Sequence, residues 1–221
     1  METLAFIINY NRLTLPRRMA DYLSECDGIR PIIIDNGSDY PPLLEYYEST
    51  KHEVVKLGAN YGCTVVWHPE SGVSERFGLR TIGRYIVTDP DLDLSRIPKD
   101  FLRLLNGGLD KYKWAAKAGF SLEINDIPEG PLKEEIMKWE ADKWISPLDT
   151  QFYSAYIDTT FCLCRGFVHD FPAVRTNRPY TARHVPWYYT PDNIPDDEKY
   201  YLESAGKWST FSRKWREIYA S

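Results

Sequence analysis

Arg84-Tyr85-Ile86-Val87-Thr88-Asp89-Pro90-Asp91-Leu92-Asp93 is the stretch on which the reading of this chain turns. Tyr85, Ile86 and Val87 form a short apolar run with no polar alternation, as expected of a strand buried on both faces. The run stops at three aspartates spaced two apart, and Pro90 restricts both its own φ and the residue before it. In an extended chain Asp89, Asp91 and Asp93 point to one side. Converging carboxylates raise one another's pKa unless they stay solvated or hold a cation, and oxygen ligands suit Mg²⁺ or Mn²⁺. A plainer reading is an acidic turn before a helix, with Asp93 or Ser95 as its cap. A calcium loop of the EF-hand kind would use Asp89, Asp91, Asp93 and Asp100, but Leu94 stands where glycine is required and a strand precedes the loop.

Upstream, strand-like runs alternate with helix-like ones. Leu4 to Ile8 reads as a first buried strand, ended by Asn9-Tyr10-Asn11-Arg12. Leu15 to Glu25 follows as a helix, with Thr14 as N-cap, Pro16 in its first turn and Gly28 after its end. Pro31 to Ile34 is a second strand, ended by Asp35-Asn36-Gly37-Ser38, and Leu43 to Ser49 a short helix. Glu53 to Leu57 is a third strand, ended by Gly58-Ala59-Asn60-Tyr61-Gly62, and Ser74 to Ile82 a helix leading into Arg84–Thr88. Such alternation predicts an α/β fold with right-handed crossovers and a mostly parallel sheet, whose ligands sit at the carboxyl ends of the strands. The polar clusters all fall there.

Downstream the pattern is less regular. Helices are expected at Lys99 to Asn106 and Pro131 to Trp139, a strand near Tyr112 to Ala118, and an apolar run from Ala155 to Cys164 broken by Asp158-Thr159-Thr160. Residues 171–200 hold many Pro, Tyr and Asp and little periodicity, so they read as an active-site flank or loop. The expectation is one domain over 1–221, with halves 1–98 and 99–221.

The 221 residues are 43% apolar and 27% charged, the balance of a water-soluble globular protein. Four scattered cysteines do not make a disulfide framework, which points to a reducing compartment. No run approaches the roughly 18 apolar residues of a membrane span, and Met1 to Tyr10 enters a strand without a basic leader, so a cytoplasmic protein is expected. The 27 basic residues against 32 acidic ones, a net charge of −5, argue against a general nucleic-acid binder.

The order of these motifs resembles the glycosyltransferases of the GT-A fold, particularly the family 2-like enzymes that use nucleotide-diphosphate sugars. The likeness covers most of the chain and rests on Asn9-Tyr10-Asn11-Arg12, Asp35-Asn36-Gly37-Ser38, Asn60-Tyr61-Gly62, Arg76 and Asp89-Pro90-Asp91. Ile157 to Phe161 and Thr181 to Tyr188 look like blocks of small bacterial and viral members. The resemblance implies a Rossmann-like central sheet flanked by helices, an acceptor-side second half, and transfer of a sugar from a nucleotide-diphosphate donor, first of all a UDP-sugar, to a glycan or lipid-linked hydroxyl.

Carried over residue by residue, the resemblance implies that Asp35 receives the base, with Asn9, Tyr10 and Asn11 around it, Asn60 elsewhere in the nucleotide-sugar site and Arg76 near base or phosphates. Asp89 would contact ribose or metal with Pro90 between it and Asp91, the direct ligand of Mn²⁺ or Mg²⁺. His184 would be a late metal ligand, Asp93 the alternative, and Arg183 a partner of phosphate oxygens. The plain readings beside these are a structural histidine and a salt-bridged arginine. An inverting transfer needs a base, for which Asp158 is the candidate because it interrupts an apolar run. Its plain reading is a strand cap bonded to Thr160. The Glu-Asp dipeptide that marks the base in many family 2 enzymes is absent, and Asp149 and Glu123 stand in reserve.

Trp67, Trp187 and Tyr188 are candidates for stacking on a sugar, or else core residues. Lys207 to Tyr219 places Trp208, Phe211, Trp215 and Ile218 on one helix face among basic residues, which suits either peripheral contact with an anionic membrane or packing on the chain's own domain. Two other classes remain. A sugar-phosphate nucleotidylyltransferase would need a Gly-rich phosphate loop after the first strand, where Asn9–Arg12 has no glycine. A non-catalytic nucleotide-sugar or metal-binding module would bind without turnover.

Overall fold

The computed structural model describes residues 2–168, 172–205 and 209–219. In its first half the alternation holds: β1 (Thr3–Asn9), α1 (Thr14–Ser24), β2 (Ile29–Asp35), α2 (Pro41–Ser49), β3 (Glu53–Lys56), α3 (Val73–Arg76) and β4 (Arg84–Thr88). The second half contains β5 (Leu92–Asp93), α4 (Phe101–Lys111), β6 (Lys117–Gly119), β7 (Ser121–Leu122), α5 (Pro131–Glu140), β8 (Phe152–Ser154), β9 (Phe161–Arg165), β10 (Ala173–Thr176), β11 (Thr181–His184), α6 (Asp196–Ser204) and α7 (Thr210–Tyr219).

Eight strands form the central sheet in the order β3-β2-β1-β4-β9-β6-β10-β8, and β5-β11-β7 form a small second sheet. β1 runs parallel to both β2 and β4, and β2 to β3, so the crossovers put helices on the faces as expected. β9 is antiparallel to its neighbours β4 and β6. The apolar runs are buried on both faces. Ala5 and Ile7 of β1 join a core with Ile33, Ile86 and the helices α1 and α4, while Phe6 and Ile8 join a second core with Ile32, Ile34, Tyr85 and Val87.

Several local expectations are corrected. The helix expected over Ser74 to Ile82 is the single turn α3, because Gly72, Gly78 and Gly83 all adopt left-handed φ values of 62–84° that end helical geometry. Thr14 lies inside α1 rather than capping it, and the cap comes from the distant Asp197. Residues 171–200, expected to be irregular, carry β10, β11 and the start of α6; their strands are short and register-dependent, with no helical period to reveal them. No helix among the described residues is long and apolar enough to cross a membrane.

Candidate active site

β1 has β2 on one side and β4 on the other, so the chain reverses its direction of travel through the sheet between β1 and β4. Crevices at the carboxyl ends of strands form at such switch points. Here a cleft of about 330 Å³ is lined by Ile8, Tyr10 and Arg12 from the end of β1, Asn36 after β2, Asn60, Gly62 and Cys63 after β3, and Asp89, Pro90 and Asp91 after β4. Asp158 and Thr159 close it from the loop before β9, His184 from the end of β11, and Tyr201 and Phe211 from α6 and α7.

The charged groups of the cleft are tightly organised. The Arg12 guanidinium is buried, with one nitrogen 2.9 Å from Asp91 Oδ2 and its Nε 2.5 Å from Glu198 Oε1. It lies 3.5 Å from the centre of the Tyr201 ring. His184 Nε2 is 3.4 Å from Asp91 Oδ2, and the imidazole is flanked by Trp187 and Phe211. Burial pushes the His184 pKa down, and Asp91 only partly offsets this, so the ring is neutral near pH 7 and able to act as a metal ligand. Asp89 is pushed well up by burial first, then by the charges of Asp91 and Asp158. Enclosure also pushes Asp158 up, but hydrogen bonds from the Thr160 N–H and hydroxyl, with the charge of Arg175, hold it below the ordinary carboxylate range.

Two buried polar atoms here, Asp91 Oδ1 and His184 Nδ1, have no hydrogen-bond partner among the described residues. Leaving such atoms unpaired costs about 1–3 kcal/mol each, so they mark a place where something polar is meant to bind. No group of three or more His, Cys, Asp or Glu is gathered as a metal cage among the described residues. Asp91 and His184 therefore fit a cation that uses one or two protein ligands and completes its shell with phosphate oxygens.

The other expected site residues are placed as follows. Asn9, Asn11 and Asp35 are buried beside the cleft and work on the backbone. Asn9 Nδ2 donates to the Arg12 carbonyl and to the Tyr47 hydroxyl, which donates to Asp35. Asn11, at φ 53°, accepts the N–H groups of Asp39 and Tyr40. Burial raises the Asp35 pKa against donors from Ser38 and Tyr47. Asn60 lines the cleft and accepts the Gly62 N–H. Arg76 is exposed, 3.0 Å from Glu53, and does not line the cleft.

Asp93 is not brought to the cleft with Asp89 and Asp91. The chain turns at Pro90, and β5 then pairs antiparallel with β11, setting Asp93 opposite Arg183. Directly opposed residues share a face, and these two line a separate hollow, where Arg183 pairs with Asp126. Asp93 accepts the Ser95 N–H at 2.9 Å in a local turn, but neither residue caps α4, whose N-cap position is Asp100. Of the reserves, Asp149 accepts bonds from Lys111 and Tyr112, and Glu123 is paired with Arg178, both away from the cleft. Trp67 donates to Tyr85 in the core, Trp187 is buried, and Tyr188 donates to Asp126; none lines the cleft. Trp215 is buried in α7 and Phe211 faces His184, so that aromatic face packs inward, while Lys207 and Trp208 lie outside the described residues.

Sequence reading missed Asn36, Glu198, Tyr201 and the role of Arg12. Asn36 accepts the Tyr61 N–H and donates to the Gly62 carbonyl, tying together the loops after β2 and β3. Asn36 and Arg12 stood inside the polar clusters at strand ends, which was signal enough. Glu198 meets Arg12 across 186 positions, with no local pattern to announce it.

Comparison with protein-family models gives no match, and no curated protein matches by sequence. Among solved structures the fold is similar to that of a mannosyltransferase from Pyrobaculum calidifontis in complex with GDP-Man and Mn²⁺, with a TM-score of 0.51 and 12% identity, covering 98% of this chain and 68% of that one. Weaker likenesses are to TarS of S. aureus, with a TM-score of 0.44 and 13% identity over 75% of this chain and 28% of that one. Another is glucosyl-3-phosphoglycerate synthase of Mycobacterium tuberculosis, with a TM-score of 0.41 and 14% identity over 76% of this chain and 62% of that one. The mannosyltransferase likeness is one of fold; the mostly parallel sheet flanked by helices expected from the sequence is the architecture observed, with β8 and β9 added antiparallel.

Proposed function

We propose that this protein is a glycosyltransferase that takes a sugar from a nucleotide-diphosphate donor, UDP-linked in the first instance, to a glycan or lipid-linked hydroxyl. The observation that carries the reading is the meeting of Asp89, Asp91, Asp158, His184 and Arg12 at the β1–β4 switch point, with Asp91 and His184 each keeping an unpartnered polar atom. Residues 1–98 supply most of the donor site, and 99–221 add His184 and Asp158 to it and supply the acceptor side, the two working as one catalytic domain.

Acidic groups outnumber cations in the cleft, so a diphosphate needs a positive charge to enter it. Asp91 and His184 are the residues that would hold a divalent ion such as Mn²⁺ or Mg²⁺. When bound, that ion neutralises the negative charge that builds on the departing diphosphate. Asp158 serves as the base: its carboxylate is ionised at neutral pH, opens onto the cleft, and is aimed by its bonds to Thr160. Deprotonating the acceptor hydroxyl during attack from the face opposite the leaving group makes the transfer inverting. The mannosyltransferase solved with GDP-Man and Mn²⁺ supports the donor class and the cation through its fold, and places GDP-linked donors second in the test.

The test is a screen of UDP- and GDP-sugars with Mn²⁺ against oligosaccharide and lipid-linked acceptors, following nucleoside diphosphate release and product mass. Transfer that is lost in Asp158→Asn, with UDP binding kept within about two-fold, is expected. Nucleotide binding without turnover on any acceptor would instead favour a non-catalytic module.

A further inference from the structure

A buried arginine on the residue that would hold the cation calls for an explanation. Arg12 is held from all sides: its carbonyl by Asn9 Nδ2 at 2.8 Å, its guanidinium by Asp91 at 2.9 Å and Glu198 at 2.5 Å, and its flat face against Tyr201. It uses Asp91 Oδ2 and leaves the buried Oδ1 without a hydrogen-bond partner among the described residues. A guanidinium cannot lose its proton to relieve a conflict with a second cation. Its charge beside Asp91 therefore opposes a divalent ion arriving alone, and a diphosphate arriving with that ion removes the penalty by adding negative charge.

We propose that Arg12 is the built-in counter-ion of Asp91, and that it makes cation binding depend on the nucleotide diphosphate, so that the two bind together rather than the cation first. The inference rests on the reading of Asp91 as a cation ligand. Glu198 sets the strength of the effect, because it shares the guanidinium with Asp91. The coupling is reciprocal: whatever factor the diphosphate adds to cation affinity, the cation adds to diphosphate affinity.

The measurement is Mn²⁺ binding followed by electron paramagnetic resonance of the free ion, without nucleotide and with saturating UDP or GDP. In the wild type, Mn²⁺ alone binds weakly and the nucleotide tightens it by at least about tenfold. Arg12→Gln binds Mn²⁺ alone at least about tenfold more tightly and loses most of the nucleotide's effect. Measured at about pH 8, where the wild-type Glu198 is ionised, Glu198→Gln, which leaves Arg12 to Asp91, binds Mn²⁺ alone several-fold more weakly, and decides the matter if Arg12→Gln does not fold. Equal Mn²⁺ affinity in wild type and variants, with Mn²⁺ still binding beside UDP, overturns the role of Arg12 and spares the cation site. Absence of Mn²⁺ binding in every protein, with or without nucleotide, overturns the cation site and the inference together.

Discussion

The carboxylate of Asp197, at the start of α6, accepts the backbone N–H of Thr14 at 2.6 Å and that of Leu13 at 3.0 Å, so the first free donors of α1 are satisfied by a residue 183 positions away. Negative charge is also favourable at a helix N-terminus. The same helix α6 presents Glu198 to Arg12 and Tyr201 to the cleft. The cap thus fixes the loop after β1 against the element that closes the site.

Asp197→Ala is expected to lower stability by about 1–2 kcal/mol, the usual cost of losing an N-cap. Urea melts measure it, and a change below a few tenths of a kcal/mol would mean that water replaces the carboxylate without cost.

Gly119 sits opposite Cys162 where β6 pairs antiparallel with β9, and a Cβ there would meet the Phe161 carbonyl directly. Backbone cannot move aside as a flexible side chain can, so Gly119→Ala should cost more than about 3 kcal/mol or leave the protein unfolded. Thermal unfolding of the variant checks this.

Arg175 and Glu140 form a buried pair at 2.8 Å, and Arg175 Nε also donates to the Tyr156 carbonyl in the loop that leads to Asp158. Arg175→Met strands Glu140 and is expected to cost about 3 kcal/mol. Arg175→Met with Glu140→Leu should recover most of that loss in the same melts, because no uncompensated charge remains.

Stability near neutral pH should carry the mark of Glu198. Burial, only partly opposed by Arg12, raises its pKa from 4.5 to about 7, so the folded chain keeps a proton that the unfolded chain releases. The stabilisation, up to about 3 kcal/mol, is complete below the unfolded value and lost as the pH rises through the folded one. Wild-type unfolding free energy should therefore fall between about pH 5 and pH 8 relative to Glu198→Gln, which has no proton to release. A constant difference between the two proteins across that range would contradict the raised value.

The first four parallel strands were legible because each is an apolar run ended by a polar cluster, and that pattern is local. β4 matches its expected range, Arg84–Thr88, to the residue. Beyond β4 the helices α4 and α5 were legible near their expected ranges, but β5, β7 and β8 were not, because they are two or three residues long and their pairing depends on distant partners. The same holds for the site. Asp89, Asp91, Asp158 and His184 could be picked out by residue type and motif order, and they line one cleft. Asp93 could not be separated from them, since its direction is set by pairing with β11 rather than by its spacing from Asp91. Glu198 and Tyr201 carried no signal at all, being ordinary helix residues that matter only because α6 folds over Arg12.

If Asp91 holds the cation, the β1–β4 cleft binds a nucleoside diphosphate through it. Calorimetric titration of UDP and GDP, each with and without Mn²⁺, against the wild type and Asp91→Asn tests it most directly. Binding of at least one nucleotide should appear only with Mn²⁺ and weaken at least about tenfold in Asp91→Asn. Equal binding without Mn²⁺ or in the variant, or binding of neither nucleotide under any condition, would contradict it.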